Sequence, residues 1–185
     1  MWLCDYVGYC LSHWGAATVS GLADGIDQAV HEASIAAGVP TIAFLGTGIQ
    51  NDYPKGSENL RRRIVEAGGA VATEYLPNES YSRANFVQRN RLQAALGRAL
   101  IPVEWAVKSG TAHTVRFASE LLRPIVGLRV PSWSSDHVTL PVKSGKIFVL
   151  PGEDVDFRDY VANLLAHPTV HNRPLSGDQL NLFEV

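Results

Sequence analysis

The chain has 185 residues, 46% hydrophobic and 18% charged, enough for one sizeable soluble core. A formal net charge of −2 excludes a protein that coats duplex DNA by bulk electrostatics, so any nucleic-acid contact must come from a local cluster of Arg and Lys. Cys4 and Cys10 have no Cys or His partners at ligand spacing, which excludes a zinc site, and no run reaches the length of a membrane span or matches a secretory signal. The expected setting is the reducing cytoplasm, with no membrane partner and no metal.

In chain order, Tyr6 to Trp14 carries Val7, Cys10, Leu11 and Trp14 at helical spacing and stops at Gly15. Ala16 to Ser20 reads as a short buried strand that runs into the glycine-punctuated loop Gly21-Leu22-Ala23-Asp24-Gly25, and a helix follows from Ile26 to about Ala37. The pattern repeats. Thr41 to Leu45 is a second strand, followed by Gly46-Thr47-Gly48 and a helix from Ser57 to Ala67 that Ser57 should cap. Ala70 to Thr73 gives a third strand, Pro77 to Ala84 a polar loop, and the next helix ends near Gly97. Leu100 to Glu104 is a fourth strand, Lys108-Ser109-Gly110-Thr111 opens a helix to Leu122, and Ile125 to Val130 is a fifth strand. Short apolar strands alternating with helices predict an α/β fold, a mainly parallel sheet with helices on both faces.

The loops at Gly21, Gly46 and Ser109 then fall at the same end of successive strands and should converge on one crevice, where this architecture binds ligands. Asn85-Phe86-Val87-Gln88-Arg89-Asn90-Arg91 opens the helix beside them. Two guanidinium groups and a nearby aromatic suit a site that grips phosphate oxygens in planar forks and offers a ring to a base. A solvated helix start, its arginines paired with Glu74 or Glu104, is the competing reading. Arg89, Arg91 and Lys108 would neutralise phosphates, Ser109, Gly110 and Thr111 would present backbone N–H groups at a helix N-terminus, and Phe86 would stack on a base. Asp27, in a first helical turn, and His31, one turn later, read as structural. His113 reads as a bystander, since nothing pairs it with a nucleophile.

Gly21-Leu22-Ala23-x-Gly25-Ile26-Asp27 with His31, Gly46-Thr47-Gly48 with Tyr53-Pro54, Phe86 with Arg89-Asn90-Arg91, and Ser109-Gly110-Thr111 resemble the successive motifs of the DNA-processing protein A family, also called DprA or Smf. The resemblance covers about Tyr6 to Pro131. It implies a Rossmann-like domain that forms a homodimer, binds single-stranded DNA without cutting it and helps load the RecA recombinase in natural transformation, with no cofactor. It also implies DNA contacts at Gly21, Gly25, Phe86, Arg89, Arg91, Lys108, Ser109, Gly110 and Thr111, to which the crevice pattern adds Gly46, Gly48 and Asn90. The family's first strand ends in a Gly-Ser-Arg turn, whereas this sequence starts inside the helix expected to follow it, so that strand and its arginine are expected to be missing. Val87 stands where the family usually has proline, and Pro102 interrupts the fourth strand.

Beyond Pro131, Val138 to Val142 and Lys146 to Leu150 read as a pair of short strands joined by a tight turn, and a last helix runs from Asp154 to Leu165. The domain is expected to span residues 1–166 and a flexible tail residues 167–185. In that tail Gln179-Leu180-Asn181-Leu182-Phe183 resembles the pentapeptide by which bacterial polymerases and repair proteins dock on the replication sliding clamp. The resemblance places Gln179 at a pocket rim and Leu180, Leu182 and Phe183 among the clamp-binding residues, a short apolar anchor on a mobile segment.

The sequence thus favours a non-catalytic single-stranded DNA-binding protein tethered to the clamp. Two other classes use the same crevice: a phosphoribohydrolase acting on nucleoside monophosphates, and a sensor of a nucleotide signal. The enzyme would need a Pro-Gly-Gly-x-Gly-Thr turn with a glutamate soon after it, but the first acid beyond Thr111 is Glu120, most of a helix away.

Overall fold

A computed structural model of the chain describes residues 2–103, 105–106, 108–131 and 145–167, without the side chains of residues 2 and 3. Its elements run α1 (Trp2–Trp14), β1 (Thr18–Ser20), α2 (Ile26–Ala36), β2 (Thr41–Phe44), α3 (Glu58–Glu66), β3 (Ala70–Ala72), α4 (Arg83–Leu96), α5 (Gly110–Glu120), β4 (Ile125–Arg129), β5 (Gly145–Val149) and α6 (Asp154–Ala166). All described pairings are parallel, in the order β1-β2-β3 and, separately, β4-β5, with Val19 opposite Ile42, Ala43 opposite Val71 and Leu128 opposite Phe148. Parallel strands carry all their C-termini to one edge, so the loops after β1, β2 and β3 emerge side by side.

Two expectations change. The strand expected from Leu100 contracts to a single parallel bridge, Leu100 with Ile125, held by Val126 N–H to the Leu100 carbonyl at 2.8 Å. Pro102 lacks the N–H that the next rung would require. At the C-terminal end, 138–142 lies outside the described residues, and β5 pairs in parallel with β4. Ser57 makes no side-chain cap to α3. The Asp52 carboxylate takes that role, accepting from Gly56 N–H at 2.6 Å and Ser57 N–H at 3.0 Å, and these bonds hold its pKa below the usual carboxylate value.

The main core joins α1 to the β4-β5 sheet and α6. Cys4, Val7, Cys10 and Leu11 pack with Val126, Leu128, Phe148, Leu150, Phe157 and Val161, all buried. Phe157, fully buried, lies edge-on to Trp14 at 5.6 Å and to Phe148 at 5.7 Å, geometry that aromatic quadrupoles favour. A second cluster, Leu22, Ala43, Leu45, Leu60 and Ile64, fastens α3 to β2, and a third, Ala94, Trp105, Val115, Ala118 and Ile125, sits between α4, α5 and β4.

A polar spine runs beneath the β1 loop. Ser34 Oγ meets Thr18 Oγ1 at 2.7 Å, Thr18 meets Thr41 Oγ1 at 2.7 Å, and Thr41 meets His31 Nδ1 at 2.7 Å. His31 Nε2 then reaches the Gly21 carbonyl at 3.1 Å. A carbonyl only accepts, so Nε2 carries the proton. Burial pushes the imidazole pKa below its ordinary value, which favours the neutral ring with Nδ1 accepting from Thr41.

Replacing Phe157 with alanine should cost about 3–5 kcal/mol of unfolding free energy, because the surrounding rings cannot collapse into the space; urea denaturation reads this directly. The His31 shift sets the sign of a pH effect. With its folded pKa depressed, the unfolded chain binds the extra proton first, so stability is complete above about pH 6.5 and falls as pH drops below it. Urea midpoints measured at about pH 7.5 and about pH 5.5 should show this fall, and His31→Gln should flatten it over that interval.

Candidate functional site

Helix α4 organises the carboxyl edge, and its N-cap is built by sequence-local chemistry: Ser82 Oγ accepts from Asn85 N–H at 3.0 Å. From there its side chains reach three loops in turn. The Phe86 ring lies where a Cβ on Gly46 would stand. The Asp27 carboxylate and the Arg89 guanidinium lie where a Cβ on Gly21 would stand, and Asn90 Nδ2 donates to the Gly110 carbonyl at 3.2 Å.

Arg89 is an interior residue, 4% exposed. Nη1 donates to the Phe44 carbonyl at the end of β2, and Nε donates to Asn90 Oδ1 at 3.2 Å. With the Gln93 amide turned so that its oxygen faces donors, that oxygen accepts from Arg89 Nε at 3.2 Å and from Gly21 N–H at 3.0 Å. Burial lowers the guanidinium pKa, and the Asp27 charge opposes that shift. Arg89 therefore works as a brace behind the site.

Gly21 is fully engaged: its N–H meets Gln93, its carbonyl meets His31, and its open face admits Arg89. Asp27 fastens the rest of the loop, accepting from Ser20 Oγ at 2.8 Å and Ala23 N–H at 3.2 Å. Its carboxylate thus lies in the first turn of α2, where a bound anion would otherwise be favoured. Gly25, with φ +93, provides the turn into that helix. Gly48 lets the loop after β2 lie against the loop after β3, where a side chain would overlap the Leu76 and Pro77 carbonyls. Gly48 N–H donates to the Glu79 carbonyl at 2.9 Å and Gln50 N–H to the Pro77 carbonyl at 2.8 Å.

The outward face is different in character. Arg91 is exposed and donates to both oxygens of Glu74, at 2.7 and 2.6 Å. This is one of the two partners the sequence offered; Glu104 lies outside the described residues. Lys108 is exposed beside the start of α5. There the Gly110 and Thr111 amides belong to the first turn, which has no intrahelical acceptors, and the buried Ser109 hydroxyl has no partner among the described residues. The Gly110 and Thr111 amides make a donor pair suited to an anion.

Sequence reasoning missed the residues that support this surface. Arg61, buried in α3, donates to the carbonyls of Ile49, Asn51 and Tyr53 at 3.2, 2.7 and 2.9 Å and so fixes the loop after β2. In sequence it sits in the run Arg61-Arg62-Arg63, which looks like a solvated face; only its place in the apolar rhythm with Leu60 and Ile64 hinted at burial. Tyr53 and Tyr81 stack with centroids 4.6 Å apart, and Tyr53 meets Phe86 at 5.2 Å. Among the described residues no group of three or more His, Cys, Asp or Glu could hold a metal ion, and no helix is long and apolar enough to cross a membrane.

Residues 1–139 match the family model for DNA recombination-mediator protein A. The chain is 39% identical over 125 residues to a DNA processing protein DprA of Mycobacterium tuberculosis, covering 68% of this chain and 32% of the relative. It is 36% identical over 139 residues to DprA of Streptococcus pneumoniae, covering 74% and 49% respectively, so it spans about a third to a half of these relatives. The solved structure of Streptococcus pneumoniae DprA superposes with a TM-score of 0.62 at 33% identity, over 72% of this chain and 47% of that one. DNA processing protein A of Helicobacter pylori, described for its single-stranded DNA binding mode, superposes with a TM-score of 0.69 at 23% identity, over 86% and 73%, and shares the fold. By the extent of the family match and its Rossmann-like architecture, the chain belongs to the DNA recombination-mediator protein A family, DprA/Smf.

Proposed function

We propose that the carboxyl edge of the β1-β2-β3 sheet binds single-stranded DNA without cleaving it, in the service of DNA recombination. The observation that carries this reading is the single helix α4, which ties the Gly21, Gly46 and Gly110 loops together while presenting Phe86 and Arg91 at the site. Exposed cations, Arg83, Arg91 and Lys108, take phosphates; the α5 start adds the Gly110 and Thr111 amides and the Ser109 hydroxyl. Phe86 supplies a stacking ring. Arg89 acts from beneath, through its charge and by holding Gly21, with Asn90 beside it; Gly21, Gly25, Gly46 and Gly48 shape the floor. Glu120 sits at the far end of α5 against Arg116, away from the α5 start where nucleobase release would need a glutamate.

The finer reading follows the family. The domain works as a homodimer in natural transformation and passes single strands to the RecA recombinase. The segment Gln179-Leu180-Asn181-Leu182-Phe183, outside the described residues, docks on the sliding clamp.

Fluorescence anisotropy with a labelled single-stranded oligonucleotide should show affinity falling steeply with salt. Arg91→Ala and Lys108→Ala should each weaken binding and reduce the log–log salt slope by about 0.7. Arg89→Met should instead show first as a loss of roughly 2–4 kcal/mol of unfolding stability, since it strands buried acceptors. Affinity indifferent to salt and to both outward substitutions would sink the reading. For the tail, a Leu182→Ala, Phe183→Ala variant should lose capture by immobilised sliding clamp, and equal retention by native and variant chains removes the clamp assignment.

A further inference from the structure

The aromatic surface continues beyond Phe86. Tyr53 meets the Phe86 ring at 5.2 Å with 35° between planes, and Tyr81 stacks on Tyr53 at 4.6 Å and 26°. Phe86 and Tyr53 are half-buried, whereas Tyr81, at the outer end of the row, is 59% exposed. Tyr81 thus keeps a large aromatic surface in solvent while resting on Tyr53.

Both tyrosines ride on pinned backbone. Arg61 holds the Tyr53 carbonyl at 2.9 Å. The loop bearing Tyr81 is fastened on one side by Asn51 Nδ2 to the Glu79 carbonyl at 2.7 Å, and on the other by the Ser82 cap of α4. Asn85 Nδ2 also donates to Glu79 Oε1 at 3.2 Å. Little conformational freedom remains to be lost when a planar ligand adds to the row. Two exposed cations flank it in sequence, Lys55 two residues after Tyr53 and Arg83 two residues after Tyr81.

We propose that Tyr81 is a further base-stacking position, extending the single-stranded DNA track from Phe86 outward across the Tyr53–Tyr81 pair. The inference rests on the reading that this edge binds single-stranded DNA. The ligand chemistry is an unpaired nucleobase followed by a phosphate: a free π face adds to Tyr81, and Arg83 or Lys55 meets the phosphate beside it. Duplex DNA buries its base faces in its own stack, so this position discriminates for single strands. Because every base has a π face, it adds affinity with little preference for sequence.

The test uses the full chain and oligothymidylates of increasing length. Affinity of the native protein should step up once the strand is long enough to pass Phe86 and reach Tyr81. Tyr81→Ser should abolish that step, weakening the longer oligonucleotides by about 5- to 100-fold. The shortest bound oligonucleotide and the salt slope should stay at native values, since no cation is removed. Tyr81→Trp should restore the step and show fluorescence quenching on binding. Unchanged length dependence in Tyr81→Ser, alongside salt-dependent binding by both proteins, overturns the Tyr81 assignment alone. Absence of single-stranded DNA binding by the native chain overturns this inference together with the reading beneath it.

Discussion

The buried guanidinium of Arg89 is the constraint from which the site takes its shape. Removing a charge from water is costly, and the interior tolerates it only where hydrogen-bond acceptors and a compensating charge are already in place. Here they are the Phe44 carbonyl at the end of β2, the Asn90 and Gln93 amides, and the nearby Asp27 carboxylate. Satisfying Arg89 therefore sets where β2 ends, how α4 lies across the sheet and where Gly21 sits. Asn90 carries the same constraint onward to the first residue of α5.

This arrangement separates two jobs that a motif merges. The glycines after β1 and β2 are required by the protein's own packing: Gly21 admits Arg89, Gly46 admits Phe86, and Gly48 admits the neighbouring loop. In the proposed reading, contact with the strand falls to side chains and amides that project beyond them. A rigid floor under a polar and aromatic surface suits an elongated flexible ligand, because the protein contributes little of the ordering entropy.

Much of the fold was legible because its signals are local. Periodic apolar residues marked α2 to α6 and β1 to β4 to within a residue or two, and α1 from Tyr6 onward, and the glycine loops marked the edge where they converge. Pro102 gave warning of a weak strand, but its reduction to one bridge depended on the pairing with Ile125, which no local pattern reports. The partner of β5 is likewise a tertiary fact, since a strand's own residues do not record which neighbour it joins or in which direction. At the site, residue type was readable and direction was not. Arg89 and Arg91 look equivalent in the motif, yet two positions along a helix are about 200° apart, so one had to face inward if the other faced out. Tyr81 was hidden for another reason: its partner Tyr53 is distant in sequence, and a tyrosine in a polar loop ordinarily signals nothing.

The pairing of Arg91 with Glu74 has a bearing on discrimination. Glu74 engages Arg91 through Nη2, so an arriving anion can meet the other guanidinium N–H groups but does so against the charge of the carboxylate beside it. A mobile ion such as chloride or free phosphate meets that competition alone and gains little from the exchange. A polymer anchored elsewhere on the surface arrives with its next charged group at high local concentration, so it can evict the resident carboxylate. Under the proposed reading, Glu74 would therefore favour a tethered chain of charges over small anions at Arg91.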